Sequence, residues 1–178
     1  MLIGNKNNLD LFNNLLGPLI PKDIELYIEP FGGEFGLYEL LKSKSHSIYC
    51  AIYNDINKEL YEEVKLKFGN GIYRNRAYRT PIYFNEDYKK IIEMYNDESS
   101  FFFVDPPYLK REYYYKNHTF HTEQNHIELS EVLKNIKGRF LLSYQDRPLM
   151  RELYKDYVFH KYTGTNFISK PEIAITNY

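Results

Sequence analysis

The sequence predicts an α/β protein built on a mostly parallel sheet, and three observations carry that prediction. Short apolar runs alternate along the chain with segments whose apolar residues recur at i, i+3, i+4 and i+7. Phe101-Phe102-Phe103-Val104 is apolar without interruption, as a strand covered on both faces requires. The chain has 178 residues, 43% of them hydrophobic and 26% charged, which fits one globular domain of about 150 residues. Residues 1–178 are therefore expected to form a single domain.

Phe12, Leu15, Leu16 and Leu19 make a helical stripe that Gly17-Pro18 should end. Ile24 to Glu29 reads as the first strand, closed by Pro30, and a helix from about Phe35 to Lys42 follows. Ser47 to Tyr53 is the second strand, Asn57 to Phe68 a helix, Pro81 to Phe84 a short third strand and Glu86 to Tyr95 a helix. After the central strand at 101–104, Leu129, Val132, Leu133 and Ile136 mark a helix ending near Gly138, and Arg139 to Tyr144 is the fifth strand. Residues 157–163 and 171–177 read as two last strands, antiparallel because no helical segment separates them.

Lys plus Arg number 23 and Asp plus Glu 24, a formal net charge of −1, so affinity for phosphate has to come from a local patch. Cys50 is the only cysteine, which excludes an internal disulfide and any multi-cysteine zinc site. His118 and His121 lack a third ligand nearby, and no metal is expected. No apolar run is long enough to span a bilayer, and the N-terminus lacks a cleavable signal pattern, so an intracellular, membrane-free protein is expected.

Ligands of doubly wound sheets sit beyond the carboxyl ends of the strands. After the first strand, Glu29-Pro30-Phe31-Gly32-Gly33 is either a close-approach loop for a ligand or a tight turn into the next helix. After the second, Asp55 can accept hydrogen bonds from a ribose diol, or Asp55 or Asn57 can cap the following helix. After the third, Asp87 is a further acidic residue with the same capping alternative. Strand four ends in Asp105-Pro106-Pro107-Tyr108, where two prolines remove two donors and hold the Asp105 carboxylate and the Pro106 carbonyl as acceptors beside an aromatic ring. That pocket suits a planar amine; Pro-Pro as a plain chain break is the alternative.

Glu29-Pro30-Phe31-Gly32-Gly33, Asn54-Asp55-Ile56-Asn57 and Asp105-Pro106-Pro107-Tyr108, in that order, resemble the D12 class of N6-adenine DNA methyltransferases, the deoxyadenosine methylase family. Gly4-Asn5-Lys6, Phe140 to Tyr144 and Glu172 to Tyr178 are similar to its terminal and strand-five motifs. The resemblance implies a Rossmann-like S-adenosylmethionine-dependent methyltransferase fold, a mostly parallel seven-stranded sheet with an antiparallel C-terminal strand. It implies S-adenosyl-L-methionine as cofactor and a flipped adenine of DNA as methyl acceptor, in a bacterial, phage or viral cell. Lys6 and the Phe31-to-Gly33 loop, with Gly32 between them, would hold the methionine part, Asp55 the ribose hydroxyls and Asp87 the amine of the cofactor adenine, with Gly4, Asn5, Glu29 and Pro30 also at the cofactor. Asp105 and Pro106 would hold the target amine, Pro107 the shape of the turn, and Tyr108 would stack on the base; Asp105 also borders the cofactor.

The family has glycine where this chain has Phe35. The family also inserts a long target-recognition domain where this chain has only residues 58–80. From Val64 to Asn85 the chain carries Lys65, Lys67, Arg74, Arg76 and Arg79 and no acidic residue, so Arg74, Asn75, Arg76 and Arg79 are candidates for nucleic-acid contact, with a solvated loop as the alternative. Lys110, Arg111 and Tyr113 form a second candidate surface whose aromatic residues could equally be packed. Target recognition by a partner subunit or a second copy, an RNA acceptor, and a binding subunit without catalysis are the competing readings.

Overall fold

A computed structural model describes residues 9–44, 46–69, 81–109, 120, 122–162 and 172–178. The N-terminal helical segment begins as α1 (Leu9–Leu11), widens into a π-helical stretch (Phe12–Leu16) and ends in a 3-10 turn (Gly17–Leu19), where Pro18 stops it. The strands are β1 (Asp23–Glu29), β2 (Ser47–Asn54), β3 (Ile82–Phe84), β4 (Ser100–Val104), β5 (Arg139–Gln145), β6 (Val158–Lys161) and β7 (Glu172–Thr176). Between them lie α2 (Gly36–Ser43), α3 (Lys58–Gly69), α4 (Tyr88–Met94), α5 (Glu123–Lys134) and α6 (Pro148–Leu153).

One seven-stranded sheet runs β3-β2-β1-β4-β5-β7-β6. β7 is antiparallel to both neighbours, and the pairs among the first five strands are parallel. The expected mostly parallel sheet with an antiparallel C-terminal strand is therefore observed. Among the described residues, α6 is the one element that the periodicity missed. It has six residues, begins at Pro148 and buries only Met150, too little repetition to register as a helix.

The order reverses between β1 and β4, so chain leaving their C-terminal ends diverges and opens a crevice. Period-2 alternation divides the side chains between two layers. Tyr27, Ala51, Tyr53, Phe101 and Phe103 pack with the N-terminal segment, α2 and α3; Ile28, Ile52, Phe102, Val104 and Tyr144 pack with α4, α5 and α6. All five residues of β4 are buried, in keeping with its central place and unbroken apolar run.

Phe35 is the N-cap of α2 and adopts φ 60°, ψ 32°, a left-handed conformation that is an outlier for a bulky residue. Its ring is fully buried, stacked on Tyr38 at 4.3 Å and edge-on to Tyr53 and Phe68. The backbone thus keeps the shape that glycine would give, and the side chain fills the core below the loop instead of the crevice above it. Phe35→Ala should cost about 3–5 kcal/mol through loss of the ring. Phe35→Gly should be about 1 kcal/mol less damaging than Phe35→Ala, because glycine adopts this conformation freely; denaturant midpoints of the two variants measure the difference.

Candidate active site

The site is assembled around Asn54, the last residue of β2, which is 1% exposed. Its Nδ2 donates to the Pro30 carbonyl at 2.9 Å and the Glu86 carbonyl at 3.0 Å, and its Oδ1 accepts from the Glu86 N–H at 2.9 Å. Its own backbone carbonyl accepts from Gly32 N–H at 2.7 Å. One buried side chain therefore ties together the loops that follow β1, β2 and β3. The sequence assigns Asn54 no role of its own within its motif, because nothing local distinguishes a hub from a cap.

Asp55 continues the work. Its Oδ2 accepts from Gly33 N–H at 3.0 Å and its Oδ1 from Asn57 N–H at 2.8 Å. Burial pushes its pKa up while these two donors pull the other way. The helix cap is Asn57, whose Oδ1 receives the N–H groups of Glu59 at 3.1 Å and Leu60 at 3.4 Å. Asp55 is left with acceptor capacity on both oxygens, since a carboxylate offers about four lone-pair sites. Ile56, beside it, is 49% exposed. It walls a shallow depression of about 550 Å³ with Asn57, Lys58, Glu59 and Glu62.

The glycines serve different ends. A Cβ on Gly32 would collide with the Tyr53 ring and lie 2.9 Å from the Asn54 carbonyl, so the strand-to-helix turn itself demands this glycine. Gly33 has φ +52° and open space where a Cβ would stand. Its carbonyl accepts from Tyr53 Oη at 2.9 Å.

Glu29, at the end of β1, is 2% exposed. Tyr27 Oη donates to its Oε1 at 2.6 Å and the Tyr38 N–H also donates to it, so it supplies the cap of α2 that the Phe35 side chain cannot. Burial, reinforced by nearby Asp105 and opposed by these two donors, pushes its pKa up to about 8. Asp105 is half-buried, and its Oδ1 is shielded from solvent. Glu29, Asp55 and Asp105 leave β1, β2 and β4 at neighbouring C-terminal ends. By the alternation of their strands, Glu29 shares a face with Tyr27, Asp55 with Ala51 and Tyr53, and Asp105 with Phe101 and Phe103, the face that packs with α2 and α3.

Pro106 and Pro107 redirect the chain, and Tyr108 enters the opposite layer, where its ring lies 4.8 Å from Tyr144 and is 6% exposed. The ring expected to stack on a base is therefore largely covered. Phe31 stacks on Tyr88 at 4.8 Å and meets Phe120 edge-on at 5.4 Å. Asp87 caps α4, its Oδ1 accepting from Lys89 N–H at 2.8 Å, which is the capping alternative. Lys67, in the basic stretch, pairs with Glu39 at 3.0 Å across to α2. Gly4, Asn5, Lys6, Arg74, Asn75, Arg76, Arg79, Lys110, Arg111 and Tyr113 lie outside the described residues. Among the described residues there is no cluster of His, Cys, Asp or Glu able to hold a metal, and no helix long and apolar enough to cross a membrane.

The model of the D12 class N6 adenine-specific DNA methyltransferases matches residues 69–168, more than half of the chain. The chain belongs to that family. It is also 35% identical over 81 residues to the type II methyltransferase M.CviBI of Paramecium bursaria Chlorella virus NC1A. That match covers 46% of this chain and 31% of the viral protein, so the chain spans about a third of the length of that relative. Among solved structures, a SAM-dependent methyltransferase from Agrobacterium tumefaciens superposes with TM-score 0.56 at 12% identity, over 86% of this chain and 55% of that one. An rRNA methylase from Streptococcus thermophilus superposes with TM-score 0.52 at 11% identity, over 94% and 90%. Both likenesses are of fold.

Two outcomes follow from this geometry. Asn54→Ala removes three hydrogen bonds, one buried and two part-buried, and strands the Glu86 N–H, so it should destabilise by about 2–4 kcal/mol in thermal unfolding. Glu29 binds its proton more tightly folded than unfolded, so the stability it contributes is complete below its ordinary value of 4.5 and is lost as pH rises to about 8. Glu29→Gln, which keeps an acceptor for Tyr27 and Tyr38, should flatten the decline in melting temperature across that window.

Proposed function

We propose that this chain transfers a methyl group from S-adenosyl-L-methionine to the N6 amine of adenine in DNA. The observation that carries the reading is the gathering of Glu29, Asp55, Asp105 and the open side of Gly33 at one end of the sheet, where its order reverses. A cofactor bearing a sulfonium and an ammonium fits a crevice edged by the Asp55 and Asp105 carboxylates. Gly33 lets backbone approach it without a side chain in the way. When bound, the cofactor supplies an electrophilic methyl group on a positively charged sulfur.

In this reading Asp55 accepts from the ribose hydroxyls, Glu29 and Lys6 border the methionine end, and Pro30, Phe31 and Gly32 carry the loop that encloses it. Asp87 would reach the cofactor adenine only with the oxygen that its cap leaves free. Asp105 and the Pro106 carbonyl accept hydrogen bonds from the N6 amine, which turns the nitrogen lone pair toward the methyl group. As N6 gains positive charge, the Asp105 carboxylate stabilises it before a proton leaves to water. Orientation of the two reactants can itself supply about 7–11 kcal/mol. A base that stacks on Tyr108 must first uncover its ring.

Target recognition falls to residues 58–80, with Arg74, Asn75, Arg76 and Arg79 at the grooves or backbone, aided by Lys110, Arg111 and Tyr113. Each good bidentate base contact contributes about 1–3 kcal/mol, so this short stretch specifies few base pairs unless a partner subunit or a second copy assists. Incubation with radiolabelled S-adenosylmethionine and matched duplex DNA, single-stranded DNA and RNA tests the reading. Label should appear as N6-methyladenine in DNA. Asp105→Ala should lose at least a hundredfold in transfer with cofactor affinity largely kept, and turnover within tenfold of the unchanged chain would overturn the assignment.

A further inference from the structure

The turn at Asp105-Pro106-Pro107-Tyr108 cannot anchor itself through its prolines, which have no N–H to donate. A side chain from another strand fixes its exit instead. The Leu109 N–H donates to Tyr144 Oη at 2.7 Å, with Tyr144 at the end of β5 and fully buried. The same hydroxyl lies 3.0 Å from Nε2 and 3.2 Å from Nδ1 of His126, on α5 and 1% exposed. Having accepted from Leu109, the hydroxyl has its own proton to give, and a neutral imidazole has one nitrogen lone pair to receive it. Burial pushes the His126 pKa down to about 4, which keeps the ring neutral near pH 7.

Packing reinforces the chain of bonds. The Tyr108 ring sits 4.8 Å from that of Tyr144, and its hydroxyl is 3.4 Å from Ser143 Oγ. Phe120 meets His126 edge-on at 4.7 Å, which limits rotation of the imidazole. A plain phenyl ring in place of Tyr144 and an aliphatic side chain in place of His126 would fill the hydrophobic layer as well, yet both positions hold groups that hydrogen-bond toward the turn. Burying a hydroxyl and an imidazole is costly unless they are bonded, so the three-membered chain has a definite geometry.

We propose that Tyr144 and His126 are positioning residues for the methyl acceptor: the His126–Tyr144–Leu109 chain fixes where the Asp105-to-Tyr108 turn ends, and so where the Pro106 carbonyl and the Tyr108 ring point. The proposal rests on the methyl-transfer reading of that turn. It assigns to α5 and β5, which carry none of the three crevice carboxyls, control over the orientation of the acceptor amine. A displacement of about 1 Å at a reacting group is enough to cost about a hundredfold in rate.

Tyr144→Phe in the full chain keeps the ring and deletes the bond. Its kcat should fall tenfold or more, with the cofactor dissociation constant within twofold, and exchange of the Leu109 amide should accelerate at least tenfold while β4 amides stay as protected as before. His126→Leu should lower kcat in the same direction, whereas His126→Gln, which still offers an acceptor oxygen, should stay within threefold of the unchanged chain. An unaltered kcat in Tyr144→Phe overturns the proposal, as does a parallel loss of cofactor affinity. Were the unchanged chain to transfer no methyl group, the proposed function would fail on its own; the Leu109 amide would still decide whether Tyr144 holds the turn, and unchanged exchange there would overturn it.

Discussion

Asn54 holds three loop ends with one side chain, and the crevice depends on it. Parallel strands deliver their C-terminal ends to one edge of the sheet, but the loops that leave them diverge and have no ladder of their own to satisfy. A buried amide with two donors and one strong acceptor engaged, to Pro30 and to both backbone groups of Glu86, supplies the missing bonds. The Gly32 N–H returns to the backbone of the same residue. Asp55, its neighbour, then draws in Gly33, and the glycine loop acquires its shape from the second strand more than from its own sequence.

The carboxyl groups at these strand ends differ in chemistry because they differ in surroundings. Asp55 receives two backbone donors, which favour its charged form against burial. Glu29 is sealed under α2 with Tyr27 and lies near Asp105, so its proton is hard to remove. Its contact with the Tyr38 N–H completes an α2 terminus that begins at a strained Phe35 without a side-chain cap. A cation arriving in the crevice meets one carboxylate already bonded, one half-buried and one largely protonated, an arrangement that avoids three close negative charges when no cation is present.

Much of the architecture was legible from the chain alone, for identifiable reasons. The uninterrupted run from Phe101 to Val104 marked the central strand because only a strand covered on both faces tolerates it. Gly17-Pro18 marked the end of the first helical segment because proline cannot continue one. Three ordered motifs at strand ends pointed to the family. What escaped is equally specific: α6 is too short for a periodic signal, and His126 looks like any residue of an amphipathic helix until the fold brings it beside Tyr144.

The sequence by itself determined the alternation of strands and helices, the family, and which residue types stand after each strand, since these follow from local patterns of apolar and turn residues. Tertiary structure alone decided how ambiguous residues were used. It made Asn57, and not Asp55, the cap of α3, and set Asp87 as the cap of α4. It turned Phe35 into the core and Tyr108 away from the layer of Glu29 and Asp105. The physical reason is that each such residue has two favourable local options of similar energy. The choice between them depends on hydrogen-bond partners and packing space contributed by residues 20 or more positions away, as Gly33 and Asn54 receive them.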